Sequence, residues 1–392
     1  MDCSLYIHIP YCLSKCAYCD FFSKPCVDIP DSYLEALCNE ISYRVSKYKI
    51  TALNTIYIGG GTPSLLNAEQ LKKLFSGIKA CVKLSLDAEI TVELNPDDVN
   101  KELLDCLFEC GVTRISCGIQ SLNDKVLKNA CRRADSAMNR QALANFRHFW
   151  KGELSVDLIS GLPGETEESF LRGLEIICEE NPSHISLYSL TIEENTPFGQ
   201  QLAQDVLNYD FDKADKLWLC GRDFLEAHGY KWYEVSNFCQ PGKECFHNLG
   251  YWNHKSYIGC GSAACGTVYS EDGTGFRWTN TIDIEDYICW WLSNPKDISK
   301  PQISDKTEIP QTSEIIDLQT SRFEFFMMGL RKLNGVSEQE YQNIFGSAFP
   351  EHFLYLFKKW EAKGLCMRTK NGRYAMSREG MLFLNRFLEE LC

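Results

Sequence analysis

Three cysteines near the start of the chain have a spacing that suits an inorganic cofactor. Cys12, Cys16 and Cys19 form a C-x3-C-x2-C arrangement directly after a short apolar run. A cubane iron–sulfur cluster has four irons and is normally held by four thiolates. Three thiolates on one short loop can hold three irons and leave the fourth open to an exchangeable ligand. The alternative is a zinc site in which Cys26 or His8 supplies the fourth ligand.

Polar or small residues also stand in or after the apolar runs that follow. They are Gly60, Gly61 and Thr62 in a G-G-G-T-P turn, then Glu93, Gln120 and Asp157. Taken singly, each polar residue is explained as well by a helix cap or a hydrogen-bonded loop, and the glycines by a tight turn. Taken together at the carboxyl ends of parallel strands, they predict a polar pocket above the sheet.

The elements that must position these residues alternate between strands and helices over the first 235 residues. We predict strands at Leu5–Ile9, Thr55–Ile58, Glu89–Leu94, Arg114–Ile119, Ser155–Ile159 and His184–Leu190. We predict helices at Asp31–Lys47, Ala68–Lys79, Lys101–Glu109, Ala137–Phe149 and Glu167–Glu180. This alternation indicates an α/β fold with a parallel sheet and outer helices, arranged as a partial TIM-type (β/α)6 barrel.

The amino-acid composition of the sequence changes after the barrel segment. A helix at Phe211–His228 and a strand at Tyr230–Val235 precede a stretch rich in Gly, Asn, Cys and aromatic residues. Asn294–Ser313 is polar and Pro-bearing, which is typical of a linker or a long loop. Helices and a hairpin around Asn371-Gly372 then predict a winged-helix-like α+β domain. We therefore expect domains at residues 1–235, 236–312 and 313–392.

Composition excludes several classes of protein. A net charge of −13 matches neither nucleic acid nor an anionic membrane surface. The apolar runs are shorter than the ~18 residues of a membrane span, and the N-terminus lacks signal-peptide features. We expect a cytoplasmic protein whose 20 cysteines are reduced. Six of them in apolar or helical contexts are expected in the core: Cys81, Cys106, Cys110, Cys178, Cys220 and Cys289.

As a set, the motifs resemble those of the radical SAM superfamily. They are L-Y-I-H-I-P-Y-C-L-S-K-C-A-Y-C-D-F, G-G-G-T-P-S, V-E-L-N-P, G-I-Q-S and D-L-I-S-G-L-P-G-E-T, and the match runs over most of residues 5–260. The chain is most similar to the oxygen-independent coproporphyrinogen dehydrogenase group and its relatives. The resemblance implies a [4Fe–4S] cluster and S-adenosyl-L-methionine (SAM) bound at the open iron.

The resemblance also implies a role for individual positions. By this resemblance, the cluster is held by Cys12, Cys16 and Cys19, and Tyr6 contacts SAM. The amino end of SAM is lined by Gly60, Gly61 and Thr62, and Glu93 reaches the ribose or the amino group of SAM. A nearby part of the pocket is lined by Gln120, Arg132 and Asp157. Arg133 is the alternative to Arg132 for this position in the pocket, because the match to the family there rests only on the spacing from Gln120.

Two departures from the dehydrogenases point to a related group, the HemW haem chaperones. Phe21 stands where the dehydrogenases have a further cysteine, and their long N-terminal extension is not expected here, since Cys12 is so near the start. The segment that begins at His247 also resembles the H-N-x-x-Y-W motif of that group. Imidazole is a common haem ligand and aromatic rings cover porphyrin faces. His247 is therefore the expected haem ligand, with His254 and Cys245 as alternatives.

The resemblance implies a haem chaperone that receives haem and passes it to an unidentified acceptor protein, with an electron donor for the cluster. Dimerisation is left open. The enzyme alternative is an oxygen-independent coproporphyrinogen III dehydrogenase, whose activity we do not expect. A third class, a SAM-radical modifier of another protein docked on the C-terminal domain, also remains open.

Overall fold

A computed structural model describes residues 1–293 and 308–392 of the chain. Its strands are β1 (Asp2–Ile9), β2 (Tyr11–Cys12), β3 (Lys24–Pro25), β4 (Ala52–Gly60), β5 (Lys83–Leu94), β6 (Arg114–Gln120), β7 (Glu153–Ser160), β8 (His184–Ser189), β9 (Lys231–Glu234), β10 (Asn237–Cys239), β11 (Tyr257–Cys260), β12 (Cys265–Tyr269), β13 (Gly275–Asn280), β14 (Gln311–Ile316), β15 (Cys366–Arg368) and β16 (Tyr374–Met376). Its helices are α1 (Asp31–Lys47), α2 (Ala68–Cys81), α3 (Lys101–Cys110), α4 (Asp124–Asn129), α5 (Ser136–Phe149), α6 (Glu167–Glu179), α7 (Pro197–Ala203), α8 (Phe211–Ala227), α9 (Phe246–Trp252), α10 (Ile284–Ser293), α11 (Leu318–Gly329), α12 (Glu338–Phe345), α13 (Glu351–Glu361) and α14 (Leu384–Leu391).

Twelve strands of the described residues form one sheet in the order β14-β13-β12-β11-β1-β4-β5-β6-β7-β8-β10-β9. All neighbours from β11 to β8 are parallel, and the outer strands at both edges are antiparallel. Helices connect β1, β4, β5, β6, β7 and β8 in turn, as parallel neighbours require. The partial (β/α)6 barrel is thus confirmed, and no pairing within the described ranges joins its two edges.

The helices begin and end at local signals that the sequence supplies. Asn67 and Gln70 form a capping box at the start of α2, and the Asn100 side chain accepts a bond from the third residue of α3. Gly111 ends α3 in the left-handed conformation, at φ 91°. The predicted barrel helices therefore match the observed ones to within two residues. No helix in the described part of the chain is long and apolar enough to cross a bilayer.

The sheet of the barrel continues into the segment after residue 235. β11 pairs in parallel with β1, and β12, β13 and β14 extend the sheet beyond it. The prediction of a linker is wrong for residues 311–313, which form the first half of β14 because their backbone pairs with 278–280 of β13. Residues 294–307 of that linker lie outside the described residues. The domain boundaries stay predictions, and the second of them falls inside β14.

The C-terminal domain combines α11 to α14 with the hairpin β15–β16. Its core is aromatic, with Phe326 stacked on Phe353 at 4.1 Å between ring centroids and Tyr341 fully buried beside them. Helices combined with a two-stranded hairpin are the winged-helix-like arrangement that the sequence predicts, although the hairpin is not terminal, since α14 follows it.

Of the six cysteines predicted in the core, two are buried, three are partly buried and one is exposed. Cys106 and Cys110 are buried, whereas Cys289 is exposed, because its position on α10 faces solvent. The other three are partly buried: Cys81, Cys178 and Cys220.

Candidate functional site

A cavity of about 370 Å³ opens at the carboxyl ends of the barrel strands. Ten of the twelve predicted site residues line it: Cys12, Cys16, Cys19, Gly60, Gly61, Thr62, Glu93, Gln120, Arg132 and Asp157. The parallel strands bring these residues together, although they are spread over about 150 positions of the sequence. Tyr6 and His247 are not part of the lining.

The three cysteine side chains reach this cavity from the loop that begins at β2. The Thr62 hydroxyl donates a hydrogen bond of 3.3 Å to the Cys12 Sγ, and the Arg132 guanidinium donates one of 3.4 Å to the Cys16 Sγ. Within the described ranges, no three His, Cys, Asp or Glu groups are close enough together to hold a single metal ion. Free thiols on one cavity wall, with donors directed at two of the sulfurs, fit a cluster whose thiolates each bind a different iron.

The alternative fourth ligands of a zinc site do not face this cavity. The Nε2 atom of His8 is 2.9 Å from the Phe22 carbonyl oxygen. Because a carbonyl oxygen can only accept a hydrogen bond, Nε2 carries the proton. Its Nδ1 then accepts a bond of 3.0 Å from the Tyr6 hydroxyl. The Cys26 thiol donates to the Asp28 carbonyl at 3.0 Å. Both ring nitrogens of His8 are therefore engaged, and neither residue lines the cavity.

The glycine turn after β4 lies directly against the start of the cysteine loop. A Cβ atom at Gly61 would be 2.5 Å from the Tyr11 carbonyl oxygen. A Cβ atom at Gly60, whose φ is 105°, would be 2.4 Å from the His8 ring. Glycine is required at both positions by this close approach. The consequence is a cavity wall made of backbone, with the amide groups near the cysteines.

Glu93 is the carboxylate nearest this turn. It accepts hydrogen bonds from the Tyr57 hydroxyl at 2.8 Å and from the Gly60 amide at 3.2 Å. Burial raises the pKa of Glu93 to about 7. Tyr6 stacks on Tyr57 with ring centroids 6.3 Å apart. Tyr6, the predicted SAM contact, thus packs against Tyr57, which donates a hydrogen bond to Glu93. Tyr6 itself does not line the cavity.

Asp157 and Gln120 form the opposite part of the wall. Asp157 accepts a bond of 2.8 Å from the Ser116 hydroxyl, and burial raises the pKa of its carboxyl group. Gln120 has a φ of 64°, which is rare for a residue other than glycine. The register between β6 and β7 shifts next to it, at Gly118. Backbone strain of this kind is concentrated at functional sites, which supports a role for Gln120.

The structure distinguishes between the two neighbouring arginines. Arg132 points into the cavity and donates to the Gly118 carbonyl at 2.7 Å and to the Asn95 side chain at 3.1 Å. Arg133 points away and forms an ion pair of 2.8 Å with Asp98. Arg132 therefore connects β5, β6 and the cysteine loop at the cavity, and Arg133 does not line it.

Several residues of the wall were not predicted from the sequence: Lys15, Tyr18, Asn95, Ser116 and Tyr188. For two of them a signal existed, since Asn95 follows Glu93 in V-E-L-N-P and Tyr188 is next to the last residue of β8. Lys15 and Tyr18 stand among the three cysteines of the C-x3-C-x2-C motif, where spacing alone does not show which side chains face the cavity.

His247 lies in the barrel core, where its ring centroid is 5.1 Å from that of Tyr57. Its Nδ1 is 2.7 Å from the Thr55 hydroxyl, and its Nε2 is 2.9 Å from the Tyr251 hydroxyl. Its backbone amide donates to Glu89 at 2.9 Å, which fixes the start of α9 against the middle of β5. The side chain is 1% exposed, and burial lowers its pKa to about 3. Both ring nitrogens are engaged in the core, so its role as a haem ligand stays a prediction.

The two alternative haem ligands are also buried. His254 is 3.0 Å through Nε2 from the Ser321 hydroxyl, and its ring stacks on Tyr269 at 3.9 Å between centroids. The Cys245 thiol donates to Glu89 at 3.4 Å. Neither side chain lines the cavity at the carboxyl ends of the barrel strands.

Comparison with known proteins shows the superfamily to which the chain is similar in sequence and fold. A family model described as the radical SAM superfamily matches residues 6–176, and one described as the HemN C-terminal domain matches residues 316–383. The solved coproporphyrinogen III oxidase HemN from Escherichia coli has a TM-score of 0.78 and 20% identity, covering 99% of this chain and 89% of that one. This likeness shows the shared fold, which is that of a radical SAM protein.

Curated relatives identify the family within that class. Each of three bears the name heme chaperone HemW. The protein from Buchnera aphidicola (subsp. Acyrthosiphon pisum) is 33% identical over 98% of this chain and 97% of its own. The E. coli K12 protein is 36% identical over 86% and 85%, and the Bacillus subtilis protein is 33% identical over 99% and 100%. The chain belongs to the HemW family.

Proposed function

We propose that this chain is a haem chaperone that holds a [4Fe–4S] cluster on Cys12, Cys16 and Cys19 and binds SAM in the same cavity. The observation that carries the cofactor assignment is the convergence of these thiols with the glycine turn and Glu93 on one cavity wall. The name of the relatives supports haem as the cargo. When bound, the cluster supplies an iron with an open coordination site.

The residues of the chain would hold SAM in a defined orientation. The backbone of Gly60, Gly61 and Thr62 lines the cavity next to the cysteines, where the amino acid end of the ligand would lie. Burial raises the pKa of Glu93 to about 7, and the approach of an ammonium group favours the ionised form of its carboxyl group. Arg132 holds the cysteine loop through the Cys16 Sγ.

A chaperone releases its cargo unchanged, so it needs moderate affinity for haem and no catalytic group. We propose an acceptor protein for the haem and an electron donor for the cluster as partners, both in the cytoplasm. The −13 net charge supports a protein partner over nucleic acid.

The second candidate function is coproporphyrinogen III dehydrogenation. The shared fold with the E. coli oxidase favours it. Against it stands Phe21, which lines the mouth of the cavity with 68% of its surface exposed. An exposed phenyl ring has no thiol to take part in redox or proton chemistry at this position.

Anaerobic reconstitution with iron and sulfide tests the cofactor assignment. We expect about four irons per chain and a change in the EPR spectrum of the reduced cluster when SAM is added, since only an open iron accepts a new ligand. A spectrum that is unchanged at saturating SAM would show a closed site and overturn the assignment.

A further inference from the structure

A second cavity lies at the seam between the end of α9 and the C-terminal domain. Its volume is about 390 Å³. Trp252, Asn253 and Lys255 line it from the barrel side, and residues of α11, α12 and the segment between them line it from the other side. It shares no lining residue with the cofactor cavity. We call it the seam cavity.

Lys332 supplies a buried cation to this cavity. Its residue is 4% exposed, which makes it the one buried lysine in residues 1–293 and 308–392. Its ammonium group donates to the Asn253 side chain, while an ammonium carries three N–H donors. Burial lowers its pKa to about 8. The charge of Glu340 opposes this lowering of the pKa, but that carboxylate is ion-paired with Arg373, and a buried cation without an ion pair of its own is unfavourable.

The charges around Lys332 leave the seam cavity positive. Glu340 lines it, but Arg373 occupies that carboxylate with two hydrogen bonds of 2.7 and 2.8 Å. Lys255 adds a second, exposed ammonium at the rim. In a chain with a net charge of −13, this local excess of positive charge is distinctive. The cavity therefore favours an anionic ligand.

Apart from the side chains of Asn253, Glu340 and Asn343, the remaining wall of the seam cavity is apolar. Phe325 and Val336 are buried in it, Ile344 is half-buried, and Trp252 closes one side. A cation at one point and an apolar wall around it suit an amphiphilic carboxylate with a flat hydrophobic body.

We propose that the seam cavity binds haem by a propionate edge, with a carboxylate on Lys332 and the edge of the ring against Phe325 and Ile344. This proposal rests on the proposed function, which supplies haem as the ligand. Haem is larger than the cavity, so the rest of the ring stays outside, where an acceptor protein can reach it. Docking at this edge uses neither ring nitrogen of His247.

The test uses the full-length protein and iron-free protoporphyrin IX, which has the carboxylates but no iron to ligate. Its fluorescence reports binding, and its dimethyl ester is the matched ligand without charge. We expect the wild type to bind the diacid about tenfold more tightly than the diester, equivalent to ~1.4 kcal/mol. Lys332→Met should weaken diacid binding about tenfold and leave diester binding unchanged. Lys255→Met should weaken it about threefold, as expected for an exposed charge.

Lys370→Met, at an exposed lysine of the same domain, is the control and should leave both affinities unchanged. Equal binding of diacid and diester by the wild type would overturn the proposal, as would unchanged diacid affinity in both cavity variants. If circular dichroism shows that Lys332→Met is unfolded, the Lys255→Met result decides. A haem titration of the wild type separates the two ideas. No haem binding refutes the proposed function, whereas haem binding with equal porphyrin affinities refutes the seam cavity alone.

Discussion

Replacing Glu93 by glutamine should remove a pH-dependent part of the stability of the cofactor-free protein. A glutamate in the unfolded chain ionises near pH 4.5, whereas burial raises the pKa of Glu93 in the folded protein to about 7. Between these values the folded state keeps a proton that the unfolded state has lost, so stability falls as the pH rises. At ~1.4 kcal/mol per pKa unit, the whole difference amounts to about 3 kcal/mol.

The assay is urea unfolding of the cofactor-free wild type and of Glu93→Gln at pH 5 and pH 8. The free energy of unfolding of the variant, relative to that of the wild type, should rise by about 2–3 kcal/mol between the two pH values. The glutamine amide also faces the Gly60 N–H, but that mismatch is the same at both pH values. Glu69→Gln, at an exposed position of α2, is the control. A difference for Glu93→Gln that does not change with pH would refute a buried, proton-binding carboxyl.

Three further outcomes test other parts of the site. Cys16→Ala should lose most of the iron in anaerobic reconstitution, while Cys26→Ala keeps it; full iron content in Cys16→Ala would remove the ligand assignment. In the cluster-loaded protein, the affinity for SAM measured by calorimetry should rise about fivefold between pH 6 and 7 and level off above pH 8 at about tenfold its value at pH 6, because the cation binds ionised Glu93, whose pKa is about 7; a flat profile would contradict this. His247→Ala should lower the free energy of unfolding by about 2–4 kcal/mol, since it leaves a void and an unpaired Thr55 hydroxyl in the core. A loss below ~1 kcal/mol in urea unfolding would show that His247 is not a core residue.

The sequence predicts the cofactor cavity well because its residues stand at the ends of successive strands. Once Cys12, Gly60 and Glu93 are placed on β/α units, parallel pairing alone brings them to one edge of the sheet. The sequence does not distinguish Arg132 from Arg133, because both follow a short irregular turn after α4, where spacing does not determine the direction of a side chain. Cys131 there has a φ of 54°, which sequence does not reveal.

Long-range contacts explain what the sequence could not show. His247 joins Thr55 across 192 positions, so a motif that resembles a ligand site is found inside the barrel core. Residues 311–313 have the polar composition of a linker, yet they form an edge strand, and an edge strand with exposed side chains needs no apolar pattern. The seam cavity depends on docking of the C-terminal domain against α9, which no local pattern encodes.

The central claim is that the chain carries haem and does not act on porphyrinogens. The most direct measurement adds haem and coproporphyrinogen III, separately, to one reconstituted sample with SAM under reducing, anaerobic conditions. We expect a titration followed by the Soret absorbance to show about one bound haem per chain, and we expect product analysis to find no protoporphyrinogen. Formation of protoporphyrinogen without stable haem binding would contradict the claim and return the chain to the dehydrogenase class.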